Sequence, residues 1–231
     1  MTTPAVGLKP VLFVVTSTAT KGETGLATGY NLAEVTHPLQ KLHDAGIAVE
    51  FASIRGGDAP LDGMEDLTDP VIARYWADST FRHAIGHTLP IDQVDPSRYS
   101  AIFFAGGHGT MWDFPDDIAV QAVVRDIDAG GGLVAAVCHG PAALVNARRA
   151  DGTLLVAGKR LAAFTDEEEA EVQSTQVVPF LLASTLVARG AQHQHAVNWA
   201  DNVVVDGRLL TGQNPQSAAS LGEALRDALL A

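Results

Sequence analysis

Cysteine, clustered basic residues and long apolar runs are all scarce here, and each scarcity excludes something. With a single cysteine, Cys138, the chain cannot form an internal disulfide. A free thiol suits a reducing compartment, so a cytoplasmic location is expected. Fifteen Lys and Arg stand against 27 Asp and Glu, for a formal net charge of −12. Nucleic acid and anionic membrane surfaces are held by clustered cations, so neither is an expected partner, and the acidity reads as solubility. The first apolar run ends at Thr16, far short of the roughly 20 residues of a membrane span, and no signal peptide is read at the start. What remains is 47% hydrophobic and 18% charged, the composition of a folded globular chain. Because no stretch resembles a linker, residues 1–231 read as one α/β domain.

Strand-like and helical patterns alternate along the chain. VLFVV at Val11–Val15 is continuously apolar, as in a strand buried on both faces. Residues 31–45 read as a helix with Leu32, Val35, Leu39 and Leu42 on one side and Gly46 as its stop. A strand follows at 47–52. Residues 54–98 read as an irregular covering insertion, with a loop at 55–63 and helical pieces at 69–77 and 81–87. Further strands are expected at 101–105, Leu133–Val137 and 160–164, with helices at 116–129, 141–147, 165–171, 177–189 and 215–230. Asp206-Gly207 between residues 203–205 and 208–210 predicts a tight hairpin. The alternation predicts an α/β fold, a mainly parallel sheet sandwiched between helices in the flavodoxin-like manner. Ligands of such sheets bind at the carboxyl ends of the strands.

Two motifs fall there. Ala136-Val137-Cys138-His139-Gly140 follows a strand and has the small–x–nucleophile–x–Gly form of a nucleophile elbow. A helix starting beneath the sulfur would favour its thiolate, the nucleophilic form. A thiolate that attacks a carbonyl creates an oxyanion, for which the N–H groups of His139 and Gly107 are candidate donors. His139 is also the candidate base. Thr165 to Glu169 offers several carboxylates to orient it, although Thr165 and Glu168 fit a capping box and the spacing alone reads as structural. By position, Glu34 reads as a solvent-facing helix residue. His83 and His87 stand four apart without a third ligand, so no metal site is expected. Ser17, Thr18 and Thr20 follow the first strand and would face the cleft.

Taken together, GYNLAEVTHP at 29–38, FFAGGHGTMWDFP at 103–115, AAVCHGP at 135–141, FTDEEE at 164–169 and VPFLL at 178–182 resemble the ThiJ/PfpI superfamily. That superfamily has a class I glutamine-amidotransferase-like fold, and the match is to its branch of small stress-inducible chaperones and glutathione-independent glyoxalases (glyoxalase III). The resemblance implies that Cys138 is the nucleophile, His139 its partner and Glu169 the acid of a triad, with Glu167 and Glu168 as neighbours that a register slip would exchange for it. It implies that Glu34 hydrogen-bonds the cysteine as acid or base, and that the Gly107 amide binds the oxyanion. The implied activity is a lyase-type conversion of methylglyoxal, a small 2-oxoaldehyde, to lactate with no metal or cofactor, in a homodimer. A hydrolase or deglycase acting through an acyl-enzyme, a holding chaperone and a thiol redox sensor are the alternatives.

Overall fold

Val11–Val15 forms strand β1 of the computed structural model, which describes residues 7–62 and 67–231, so the last residue of the loop read at 55–63 lies outside it. Helix α1 (Leu32–Asp44) is capped by the Asn31 side chain, which accepts from the Glu34 N–H at 3.2 Å. Its predicted apolar side is buried, and Pro38 lies within it without ending it. Strand β2 spans Val49–Ser53. The stretch expected to be irregular holds α2 (Pro70–Ala77), α3 (Ser79–Ile85) and the short β3 (Leu89–Pro90), which adds an edge strand to the main sheet.

Next come β4 (Ala101–Phe104), α4 (Thr110–Asp113), α5 (Ile118–Ala129) and β5 (Leu133–Val137). The remainder is β6 (Arg160–Leu161), α6 (Asp166–Glu171), α7 (Leu182–Ala188), β7 (Gln192–His193), β8 (Val203–Asp206), β9 (Leu209–Gly212) and α8 (Ala218–Leu230). Among the described residues, seven strands form one sheet in the order β3-β2-β1-β4-β5-β9-β8. All neighbours are parallel except β8 and β9, joined by the expected hairpin with Gly207 at φ 64°. The α/β fold inferred from the alternation is the one observed.

Three expectations need correcting. No α-helix follows Cys138; the chain makes a 3₁₀-helix over Gly140–Leu144, so the positive pole beneath the sulfur is one short turn. The strand read at 160–164 is limited to β6, which pairs with β7 in a separate sheet because its next backbone group is taken elsewhere: the Ala162 N–H donates to the Thr211 hydroxyl at 2.8 Å. The helix read at 177–189 begins only at Leu182, after Pro179.

Alternate residues of β1 serve opposite faces of the sheet. Leu12 and Val14 join the core beneath α5, while Val11, Phe13 and Val15 join the one beneath α1 and α8. Phe13 stacks on Phe103 at 4.5 Å between ring centres. Connections leave β1 in one direction toward β2 and β3, and leave β4 in the other toward β5. The strand order therefore reverses between β1 and β4, and a cleft opens at their carboxyl ends. Among the described residues no helix is long and apolar enough to cross a membrane.

Helices α1 and α8 meet where Gly222 faces Pro38; a Cβ at Gly222 would lie 2.5 Å from the Pro38 Cα. Gly222→Val is therefore expected to overpack this contact and cost about 1–3 kcal/mol, read as a lower urea midpoint at unchanged m-value.

Candidate active site

The turn from β5 to the 3₁₀-helix sets the geometry of the sulfur. Cys138 has φ 60°, a left-handed conformation that costs a non-glycine residue energy and here projects the side chain out of the strand direction. Two backbone bonds hold it: Cys138 N–H donates to Gly212 O, and Phe164 N–H donates to Cys138 O, both at 3.0 Å. The small residues flanking it are steric requirements. A Cβ at Gly140 would lie 2.3 Å from Phe104 O, and one at Gly106 would lie 2.6 Å from Glu34 Oε2. Gly107 has φ 102°, and a Cβ there would meet Gly29 O at 2.2 Å. The buried Thr110 hydroxyl lies 2.9 Å from Gly107 O and 3.1 Å from His139 O, tying the β4 loop to the elbow.

Cys138, His139, Glu169, Glu34 and Gly107, the candidates from sequence, converge. Cys138 Sγ is 3.4 Å from His139 Nδ1, and His139 Nε2 is 2.8 Å from Glu169 Oε2. The acidic run divides by its position on the first turn of α6. Glu167 is exposed. Glu168 completes the expected capping box with Thr165 and is fully buried. Its Oε1 accepts from Trp199 N–H, Gln213 Nε2 and Asn214 Nδ2 at 2.8, 3.0 and 2.8 Å. Glu169 alone reaches the imidazole, so the structure places both a structural and a candidate functional acid in one turn.

Glu34, expected by position to face solvent, has 0% exposure. Its Oε2 accepts from Gly106 N–H at 2.7 Å, while Oε1 makes no regular hydrogen bond although the Cys138 thiol is near enough to act on it. Burial pushes its pKa up to about 8. Burial and then the Glu34 carboxylate push the Cys138 thiol well above its ordinary range, with the His139 amide acting the other way. The expectation of a thiolate favoured by a helix start is thus corrected: burial and the neighbouring Glu34 carboxylate favour the thiol. Burial, followed by the neighbouring His108, holds His139 down at about 4, so its ring is neutral at pH 7. Burial favours protonated Glu169, but the hydrogen bonds from His108 and His139 outweigh it and hold the carboxyl at about 2. An ionised Glu169 must accept at both oxygens, so His139 carries its proton on Nε2 and turns the Nδ1 lone pair toward sulfur.

His108 and Lys21 were missed from sequence. His108 Nε2 lies 2.8 Å from Glu169 Oε1, its ring is 4.2 Å from that of His139, and its Nδ1 lies 3.5 Å from Lys21 Nζ. The one available signal was that His108 directly follows Gly107. Ring nitrogens and carboxylate of His108, His139 and Glu169 fall within 4.8 Å of one another, a spacing that would admit a metal ion. Both carboxylate oxygens are already satisfied by imidazole N–H groups, so the cluster reads as a hydrogen-bonded relay. His83 and His87 stack at 4.2 Å without a further ligand group beside them among the described residues.

A cavity of about 300 Å³ opens over Cys138 and His139, with Lys21, Asn31 and Asp62 among its polar residues and Phe164, Val172 and Trp199 among its apolar ones. Trp199 holds φ 63°, and its indole N–H is bonded to Glu171 Oε2. Ser17, Thr18 and Thr20 do not line this cavity. Ser17 N–H donates to Asp113 and Ser17 Oγ accepts from Arg55 N–H, so that loop is tied away from the cleft.

The chain is similar to known proteins over most of its length. The glutathione-independent glyoxalase HSP31 of Saccharomyces cerevisiae is 33% identical, over 89% of this chain and 91% of its own. Glyoxalase 3 of Candida albicans is 31% identical, over 94% of this chain and 96% of its own. Among solved structures, the Francisella tularensis Rapid Encystment Protein REP24 superposes with a TM-score of 0.92 at 37% identity, covering 96% of this chain and 99% of that one. The crystal structure of C. albicans glyoxalase III gives 0.88 at 29%, covering 95% and 97%. Residues 25–228 match the DJ-1/PfpI family; with a seven-stranded sheet of the same kind and a cysteine at its elbow, the chain belongs to that family.

Proposed function

We propose that this protein is a glutathione-independent glyoxalase that converts methylglyoxal to lactate through a hemithioacetal on Cys138. The observation that carries the reading is the His139 ring, held by Glu169 at 2.8 Å through Nε2, with Nδ1 3.4 Å from the sulfur. Relatives named as glyoxalases at about a third identity over most of the chain support it, as does a cavity of about 300 Å³, suited to a small substrate.

In this reading His139 Nδ1 takes the thiol proton, and Glu169 steadies the imidazolium. The thiolate attacks the aldehyde carbon, and the new oxyanion rests on the amides of Gly107 and His139 while Glu34 gives it a proton. The Glu34 carboxylate then removes the hydrogen from that carbon. The double bond shifts, and His139 protonates the ketone oxygen to leave an enediol. Glu34 returns its proton to the second carbon and takes up the proton of the first hydroxyl as that carbon becomes a thioester carbonyl. Water releases lactate and restores the thiol. Glu34 thus needs to be an acid first and a base later, which a carboxyl raised to about 8 by burial can do near neutral pH.

Lactate formation from methylglyoxal without glutathione tests this. Cys138→Ala should show no turnover above background, and an active Cys138→Ala would refute the covalent route. Glu169→Gln should lower kcat by roughly a hundredfold or more, whereas Glu167→Gln should leave it unchanged; equal effects would move the role along the run. For Glu34, folding favours the protonated carboxyl, so its stabilising contribution is complete below the ordinary carboxyl range and is lost as pH rises toward about 8. Glu34→Gln should therefore show a smaller fall in Tm than wild type between pH 5 and pH 8. Parallel Tm–pH curves would contradict the raised pKa.

A further inference from the structure

Glu169 is shared between two imidazoles, and only one of them touches the sulfur. The geometry points to Lys21 and His108 as a positioning pair that directs the proton leaving Cys138 onto His139. This rests on the reading of Cys138 as nucleophile and His139 as its base.

The two rings lie 4.2 Å apart at 39°, each bonded through Nε2 to one oxygen of a single carboxylate. One negative charge stabilises one imidazolium well; two imidazoliums at that separation would repel inside a site where His139 and Glu169 are nearly sealed from water. The rings therefore compete for one proton. Their remaining nitrogens face opposite surroundings. His139 Nδ1 faces Cys138 Sγ, which becomes an anion when it gives up its proton. His108 Nδ1 faces the Lys21 ammonium at 3.5 Å, a group that has only donors. A cation on His139 would thus sit beside a thiolate, whereas a cation on His108 would need its added proton directed at another cation. Without Lys21 the two rings would differ much less, and charge on His108 would block the transfer to His139.

Lys21 also opposes charge on His139, as the smallest of the influences on that ring, but its contact is with His108 at 3.5 Å; among the described residues the other groups facing these rings are few. Phe164 covers His139 with an apolar ring at 4.3 Å, and Glu34 acts on the sulfur from α1. Lys21 also lines the cavity, where a direct contact with substrate would be a different role.

Alkylation of Cys138 by iodoacetamide, followed against pH in chelator-containing buffer on the full chain, separates these roles because it needs no 2-oxoaldehyde. Lys21→Met should slow alkylation at pH 7 roughly tenfold, the equivalent of one pK unit, and move the acid limb of the profile upward. Lys21→Arg should restore both. With His108→Gln as background, whose amide still donates to Glu169, adding Lys21→Met should produce no slowing; His108→Asn repeats the test should that variant fold poorly. Equal slowing with and without His108 would overturn the proposal. So would normal alkylation in Lys21→Met with only KM for methylglyoxal raised. Loss of lactate formation by wild type with this alkylation pattern intact would refute the glyoxalase reading and leave the positioning pair standing.

Discussion

A carboxylate buried beneath a cleft must have its charge met by donors, and Glu169 meets that need with two imidazole N–H groups. Everything at the site follows from this choice. Because both oxygens accept, both rings carry a proton on Nε2. Because His139 is so fixed, its basic nitrogen turns to Cys138. A lysine or arginine on Glu169 would have neutralised the charge and left the imidazole free to rotate.

The fold supplies this arrangement with backbone geometry instead of long side chains. Cys138 is at a left-handed turn, Gly106 and Gly140 leave room for it, and Thr110 bridges the two loops. Glu168 performs the complementary task one residue before Glu169. Its four hydrogen bonds gather the α6 cap, the backbone at Trp199 and the end of β9 into one unit. That unit keeps the first turn of α6 at an orientation in which the next carboxylate meets the two histidines. Strain at the elbow is held by a scaffold whose seven-stranded sheet is buried on both faces over its central strands.

Much of this was legible in the residues. Continuous apolar runs such as VLFVV and LVAAV marked parallel strands because only a strand covered on both faces lacks alternation. The elbow was legible because its small residues answer to sterics that any such turn imposes. The split between Glu168 and Glu169 was not, since spacing gives the capping box but not which way the next side chain leaves the helix. Glu34 was misread by position: a lone acid near the start of an amphipathic helix ordinarily faces water, and here it is inward because Gly106 offers an N–H to it. The 3₁₀-helix after Cys138 was likewise illegible, as its pattern of small and apolar residues suits either kind of turn. His108 and Lys21 are 87 residues apart, and no local pattern links them.

The tautomeric state of His139 tests the central claim most directly. Nitrogen-15 NMR of labelled histidines at pH 7 should show a neutral His139 ring protonated on Nε2 and bare on Nδ1. A His139 ring protonated on Nδ1, or on both nitrogens at that pH, would contradict the account.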